Sequence, residues 1–399
     1  MTTPLNHSRR HRIVYLIDAL GMGGAECLLV GFLQHLDRRR FDPVVCAMGR
    51  RDGNPVARRL ADLGLAIDVL GVQRLLAADN ITRVQQYLRA QRADLVHCHL
   101  EFSATLGTLA AQRLAIPAVT TFHTLDAFSP RSKAYWRHKL MRGVLRRYGK
   151  RMIAVSQCVR THHLQRGRYD PEKLVTIHNG IDLARFDAVD PCSRAALRSA
   201  LGVPLDAPVA MTLCVLREAK GVQYLIAAMP AMLKAMPELR LLIVGDGEHE
   251  GALRAAAQCH DVGQRVIFTG RRDDVPQLMT VGDVFVLPTL EDALPTVLGE
   301  AMAARMPVIA SNVGGIPEMI EYGRNGLLVP PADSHALGQA CLQLLGDPQR
   351  ARAMGGAGRQ IAEQRFDIRL QTRRTEALYE ELLPPAMPVN QDLQRAHSA

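Results

Sequence analysis

Apolar residues in this chain gather in short runs separated by longer stretches of mixed apolar and polar positions. The runs predict strands at 13–17, 43–47, 95–97, 118–122, 152–155 and 174–177, with helices such as Glu26–Leu36 and Ser103–Leu114 between them. The rhythm then restarts. Strands are expected at 209–215, 241–244, 266–268, 284–287 and 308–310, and helices at Gln223–Met236, His249–Gln258 and Leu294–Ala304. Strand–helix alternation predicts parallel sheets with helices on both faces, and two such series predict two doubly wound α/β domains. The break falls near Asp182–Asp206, in a polar stretch with Pro191, Gly202 and Pro204. The expected domains are therefore 1–185 and 186–367. Residues 368–399 add a last helix, Ile368–Leu383, expected to pack back on the first domain, and a polar tail from Pro384.

With 399 residues the chain suits two cores of ~100–200 residues each. No apolar run approaches the ~18 residues of a membrane span, and the basic start at Arg9–Arg12 leads into a buried strand rather than a secretory signal. Eight scattered cysteines without a C-x-x-C pair read as buried free thiols of a reducing cytosol. Charge divides the chain. Residues 1–180 carry 28 Lys and Arg against 13 Asp and Glu, a net +15; the remainder carries 21 against 26, a net −5. A positive first half suits phosphates, anionic lipid or nucleic acid. Nucleic acid is set aside, because the chain has one Trp, 5% aromatics and no nucleic-acid module.

The candidate chemistry lies at strand ends. Gly21–Glu26 follows the first strand, where glycines let a ligand approach and a helix start offers free N–H groups; an empty tight turn explains it equally well. His123 ends the 118–122 strand, where open α/β sheets bind ligands, against the plainer reading of a hydrogen-bonded loop histidine. His97 and His99 are expected to alternate across their strand, so a shared metal site is rejected. Asn179-Gly180 is a tight turn at the end of the first series. Arg217 and Lys220 follow the first strand of the second series, as a pyrophosphate clamp at a helix start or as solvated surface. The loop Pro288–Pro295 feeds a helix bearing Glu300. Asp292 and Glu300, eight apart, can flank a ligand at that helix start, and a second glycine-rich turn, Gly314-Gly315-Ile316-Pro317-Glu318, points to the same edge.

With these motifs in order, the sequence resembles the retaining glycosyltransferase family 4 of GT-B fold: two Rossmann-like domains facing across a cleft. The resemblance runs through Gly23-Gly24-Ala25-Glu26, His123, Asn179-Gly180-Ile181-Asp182, Lys220-Gly221, Gly245-Asp246-Gly247, Phe268-x-Gly270, the acid pair and Gly314–Glu318. It implies a nucleoside-diphosphate sugar held mainly by the second domain, with no cofactor and no metal. Lys220 would match the pyrophosphate lysine and Glu300 the acid on the ribose. Asp292 and the backbone after it, at Leu294, Pro295 and Thr296, would face the transferred sugar. His123 would stand near the reacting sugar, and Gly23 and Gly24 under the donor phosphates, with Gly245 and Gly270 on the donor side. The sequence departs from the family at Asp292, usually Glu, and at Val215, commonly Arg; Arg217 stays as a phosphate contact.

Residues 131–151 carry nine Lys and Arg and no acid, interleaved with Tyr135, Trp136, Leu140, Met141, Val144, Leu145 and Tyr148. This predicts either a helix lying on anionic membrane at the inner face or a packed helix with a solvated basic face. The expected activity is sugar transfer from a nucleotide sugar to a glycan or lipid-linked acceptor. A sugar-nucleotide epimerase and a non-catalytic nucleotide-sugar-binding module are the alternatives.

Overall fold

The computed structural model describes residues 9–21, 24–49, 55–72, 75, 77, 79–125, 131–190 and 193–384. Its chain forms two compact units. The first comprises the residues up to Val155, Val159–Ile177 and the chain from Gln371; the second comprises Ser156–Cys158 and His178–Leu370.

The first unit runs β1 (His11–Ala19), α1 (Gly24–His35), β2 (Phe41–Gly49), α2 (Pro55–Asp62), β3 (Ile67–Val69), α3 (Asn80–Ala90), β4 (Leu95–His99), α4 (Glu101–Leu114), β5 (Ala118–Phe122), α5 (Lys133–Tyr148), β6 (Arg151–Ala154), α6 (Gln157–Gly167) and β7 (Leu174–Thr176). The seven strands are parallel, in the order β3-β2-β1-β4-β5-β6-β7. A parallel sheet covered on both faces buries whole strands. All five residues of β4 and of β5 are accordingly buried, among them His97, His99, Thr120 and Thr121, which must find partners inside the protein.

The second unit begins with α7 (Ala184–Asp187), α8 (Ser193–Ala200), β8 (Val209–Leu213), α9 (Val222–Ala235), β9 (Arg240–Val244), α10 (Glu250–Cys259) and β10 (Val266–Phe268). It continues through α11 (Val275–Met279), β11 (Val284–Leu287), α12 (Thr296–Ala303), β12 (Val308–Ser311), β13 (Gly326–Val329), α13 (Ser334–Leu345) and α14 (Pro348–Arg365). Its six parallel strands lie in the order β10-β9-β8-β11-β12-β13. The chain builds outward from β8 through β9 to β10, then returns to the other side of β8 as β11. The order therefore reverses between β8 and β11, and the loops leaving those two strands flank the crevice where such sheets take ligands. In the first unit the reversal lies between β1 and β4.

The last helix, α15 (Ile368–Leu382), contributes Leu378 and Tyr379, with Leu383 after it, to the core on one face of the first sheet, with Ile13, Tyr15 and Ile17. The Glu376 carboxylate accepts the N–H of Asp37 at 2.8 Å. In the second unit, Arg198 is 1% exposed beneath the start of β8. Its guanidinium donates to the carbonyls of Val281, Leu205 and Ala207 and to the Asp283 carboxylate.

Candidate functional site

At the reversal of the second sheet the structure brings two sequence candidates together. Lys220 Nζ donates to Asp292 Oδ2 at 2.6 Å across 72 residues of chain, with both side chains mostly covered. Lys220 does not open a long helix directly. It closes a single 3-10 turn, Glu218–Lys220, and Gly221 at φ +68° separates it from α9. That conformation favours glycine, and contact enforces it: a Cβ on Gly221 would lie 1.9 Å from the Pro288 carbonyl oxygen. Two hydrogen bonds tie the same segments, Leu290 N–H to Ala219 O at 2.8 Å and Thr289 Oγ1 to Ala219 O at 3.2 Å. From the other side the loop is held by the second glycine-rich turn. Gly315 N–H donates to Asp292 O at 3.1 Å, and Cβ atoms on Gly314 and Gly315 would fall 1.7 and 2.0 Å from the carbonyl oxygens of Asp292 and Ala293. The Asp292 backbone is thus clamped between two glycine turns. Glu291 beside it is exposed, and its carbonyl accepts from Thr289 Oγ1.

The loop delivers Leu294, Pro295 and Thr296 to the start of α12. The helix begins at Thr296 rather than Leu294 because extended Pro295 precedes it, and no side chain caps its first N–H groups. Leu294 is buried, and its carbonyl accepts from Asn179 Nδ2 at 3.2 Å, so Asn179 does more than make a turn. Glu300, in the second turn of α12, faces Arg185 Nη1 at 3.7 Å, a partner outside every sequence motif. Glu318 accepts the N–H groups of Gln157 and Cys158, both at 2.8 Å, and lies 3.0 Å from His178 Nε2. Desolvation raises its pKa, but these hydrogen bonds outweigh it and hold Glu318 below the ordinary carboxylate range. Gly245 and Gly270 meet in one bridge, Gly245 N–H to Gly270 O at 2.9 Å. Arg217 is exposed, as is Val215.

In the first unit, Gly23 lies outside the described residues. Gly24 opens α1 with no atom within 4 Å of where a Cβ would be, and Gly21 N–H donates to Glu26 Oε1 at 3.2 Å. Across the reversal, the Asp18 carboxylate accepts the N–H groups of Phe102 and Ser103 at 2.9 and 2.7 Å, filling the N-terminus of α4. Burial raises the pKa of Asp18 despite these bonds. His123 follows β5 and borders a cavity of about 250 Å³, which Asp18, Glu101, Thr121 and His138 also line.

The expected alternation of His97 and His99 is wrong. Successive strand residues point to opposite faces, so positions two apart share one. The two rings are indeed only 4.3 Å apart. His97 spends both nitrogens inside the unit, Nδ1 at 2.6 Å from the Tyr379 hydroxyl and Nε2 at 2.7 Å from Thr121 Oγ1. His99 Nδ1 lies 3.0 Å from His123 Nε2. Desolvation lowers all three pKa values, that of His97 to about 3 and that of His123 to about 4, so the imidazoles are neutral at pH 7. No group of three or more His, Cys, Asp or Glu side chains among the described residues is arranged to hold a metal.

The apolar residues of 131–151 do not form one stripe. Met141, Val144 and Leu145 turn inward from α5, whereas Trp136 is 60% and Leu140 39% exposed, beside Lys133, Lys139, Arg146 and Arg147. Lys139 Nζ stands 4.7 Å over the Trp136 ring, and Arg137 is paired with Glu101 at 3.1 Å. No helix among the described residues is long and apolar enough to cross a membrane.

The model for "Glycosyltransferase Family 4" matches residues 22–185, and that for "Glycosyl transferases group 1" matches residues 207–347. A D-inositol 3-phosphate glycosyltransferase of Segniliparus rotundus is 30% identical over 281 residues, 67% of this chain and 62% of that protein. A GDP-mannose-dependent monoacylated alpha-(1-6)-phosphatidylinositol monomannoside mannosyltransferase of Corynebacterium glutamicum is 37% identical over 194 residues, 46% of this chain and 50% of its own. The chain thus spans less than two thirds of either relative. Among solved structures, Anabaena HepE in complex with UDP-glucose is similar at TM-score 0.83 and 26% identity, over 93% of this chain and 100% of that one.

Proposed function

We propose that this chain, which belongs to glycosyltransferase family 4 and has the GT-B fold, moves a sugar from a nucleoside-diphosphate sugar to a hydroxyl group with retention at the anomeric carbon. The observation that carries the reading is the Lys220–Asp292 pair at the strand reversal, on a loop clamped by Gly221 and Gly314. In the reaction the bond from the anomeric carbon to the diphosphate oxygen breaks, its electrons stay on the diphosphate, and the acceptor oxygen takes its place as its hydroxyl proton passes to the departing diphosphate oxygen. Lys220, the free N–H groups of α12 and, at longer reach, Arg217 meet the charge that builds on the leaving group. Glu300 accepts from the ribose hydroxyls, with Arg185 beside it to orient its carboxylate. Asp292 faces the transferred sugar and holds Lys220 in place before the donor arrives. The register favours Asp292 over Glu291, because Asp292 is the acid paired with the lysine. His123 and Gly24 supply the first unit's contacts to the donor.

The acceptor is a glycan or lipid-linked hydroxyl, a reading that the relative named for monoacylated phosphatidylinositol monomannoside supports. A second observation supports work at a membrane surface. Trp136 and Leu140 stand exposed among cations on α5, a face suited to anionic lipid.

Calorimetry with UDP and GDP, and nucleoside-diphosphate release from a panel of nucleotide sugars, test the reading. Lys220→Ala should weaken nucleotide binding by roughly 1.5–3 kcal/mol, the worth of a charge-assisted contact. Unchanged affinity in the folded variant would remove Lys220 from the donor site. Release of nucleotide only with an acceptor separates transfer from epimerisation, and any turnover excludes a purely binding module.

A further inference from the structure

We propose that His99 is a positioning residue that fixes His123 as its Nδ1–H tautomer, so that His123 offers its ligand a hydrogen-bond donor rather than an acceptor. The inference rests on the reading of His123 as a residue near the reacting sugar, and deepens it. A neutral imidazole has one donor and one acceptor nitrogen, and the partner of one nitrogen decides the role of the other. His99 Nδ1 and His123 Nε2 are 3.0 Å apart, and their rings are stacked at 5.3 Å. One of the two must donate.

His99 decides which. Its Nε2 is buried and has no hydrogen-bond partner among the described residues. If His123 donated, the proton of His99 would sit on that nitrogen, as a buried N–H without an acceptor. If His99 donates from Nδ1, the orphan is only a bare lone pair. Buried unpaired N–H groups are the rarer defect, so the second arrangement prevails. His123 Nε2 is then the acceptor, and its proton resides on Nδ1. Among the described residues none takes that N–H, and His123 lines the cavity, where a ligand oxygen can accept it. The depressed pKa values of both histidines agree with a neutral pair. His97 cannot take over, since Tyr379 and Thr121 occupy its two nitrogens.

The tautomer is readable without turnover. Two-dimensional ¹⁵N–¹H spectra of labelled full-length protein at pH 7 distinguish protonated from bare ring nitrogens, and His123→Asn assigns the signal. Wild type should show His123 protonated at Nδ1. His99→Asn places an amide N–H near the lost Nδ1–H and should keep that state. His99→Phe keeps the ring but not the donor, and should release His123 to a mixture containing the Nε2–H form. With a turned-over donor, kcat of His99→Phe should fall roughly tenfold, the scale of one hydrogen bond, with the donor KM little changed, and His99→Asn should recover most of it. A wild-type His123 protonated at Nε2, or a His123 tautomer unaltered in folded His99→Phe, overturns the proposal. Absence of turnover with every nucleotide sugar would instead strike the transferase reading, and the spectra would still decide the tautomer.

Discussion

Gly221 offers a controlled test of how the donor loop is held. Gly221 and Gly202 have nearly the same backbone angle, φ +68° and +67°, but opposite surroundings. A Cβ on Gly202 meets nothing within 4 Å, whereas one on Gly221 would lie 1.9 Å from Pro288 O. Alanine at either position costs about 1–2 kcal/mol for the left-handed conformation. Only at 221 must the backbones also part, by roughly 1 Å, because Cβ atoms essentially never come within 3.0 Å of another heavy atom. That shift stretches both hydrogen bonds to Ala219 O, each worth about 0.5–1.5 kcal/mol. Gly202→Ala should therefore lose about 1–2 kcal/mol in urea unfolding, and Gly221→Ala roughly 2–5 kcal/mol. Gly221→Ala also moves Lys220 against Asp292, and a misplacement of about 1 Å in a reacting constellation can cost on the order of 10²-fold in rate. Calorimetry with UDP and GDP and initial rates would accompany the unfolding curves. Equal destabilisation of the two variants, with wild-type nucleotide binding in both, would refute the clamp.

Replacing Arg198 by Met should destabilise the second unit by about 3–5 kcal/mol, seen as a lower Tm, because several buried carbonyls lose their donor; a neutral result would mean water replaces the guanidinium. The histidines of the first unit give a pH dependence. Their folded pKa values lie below the unfolded value near 6.5, so the unfolded chain binds more protons as pH falls from 6.5 toward 4. Stability is full above about 6.5 and should fall below it, by up to ~1.4 kcal/mol per pH unit for each imidazole. Urea midpoints between pH 7.5 and 5 check this, with a shallower slope expected for His123→Asn. Reversal of Arg146 and Arg147 to Glu on α5 should abolish pelleting with anionic vesicles, and wild type should be released by 1 M salt, where the Debye length is ~3 Å; wild type that ignores such vesicles at low salt would leave α5 as a packed helix with a basic face.

Strands buried on both sides were the most legible part of the fold, since runs such as Val284–Leu287 and Ala118–Phe122 end where the apolar residues end. Two strands escaped: β3, whose three residues, Ile-Asp-Val, are not a buried run, and β13, a four-residue run that opens on Gly326. The site was legible as glycines and acids at strand ends, but not as contacts. No spacing in the sequence says that Lys220 reaches Asp292, that Gly314 rests on the Asp292 backbone, or that Arg185 faces Glu300. Arg198 reads as one more helix cation, and only the fold buries it. His99 could have been found. Its spacing of two from His97 puts both on one face, and a face carrying two buried histidines needs partners.

The last helix has a consequence for synthesis. A ribosome releases residues in order, and domains generally fold as they emerge. Here the middle of the chain can complete its sheet once residue 370 is out. The earlier strands cannot finish, because Leu378 and Tyr379 complete their core and the Tyr379 hydroxyl pairs with His97. The part made first is therefore the part finished last. Until α15 arrives, β1 and β4 wait with a gap in the apolar core on that face and with His97 short of one of its two partners, and a nascent chain halted shortly before Glu376 would hold a finished second unit joined to an unfinished first.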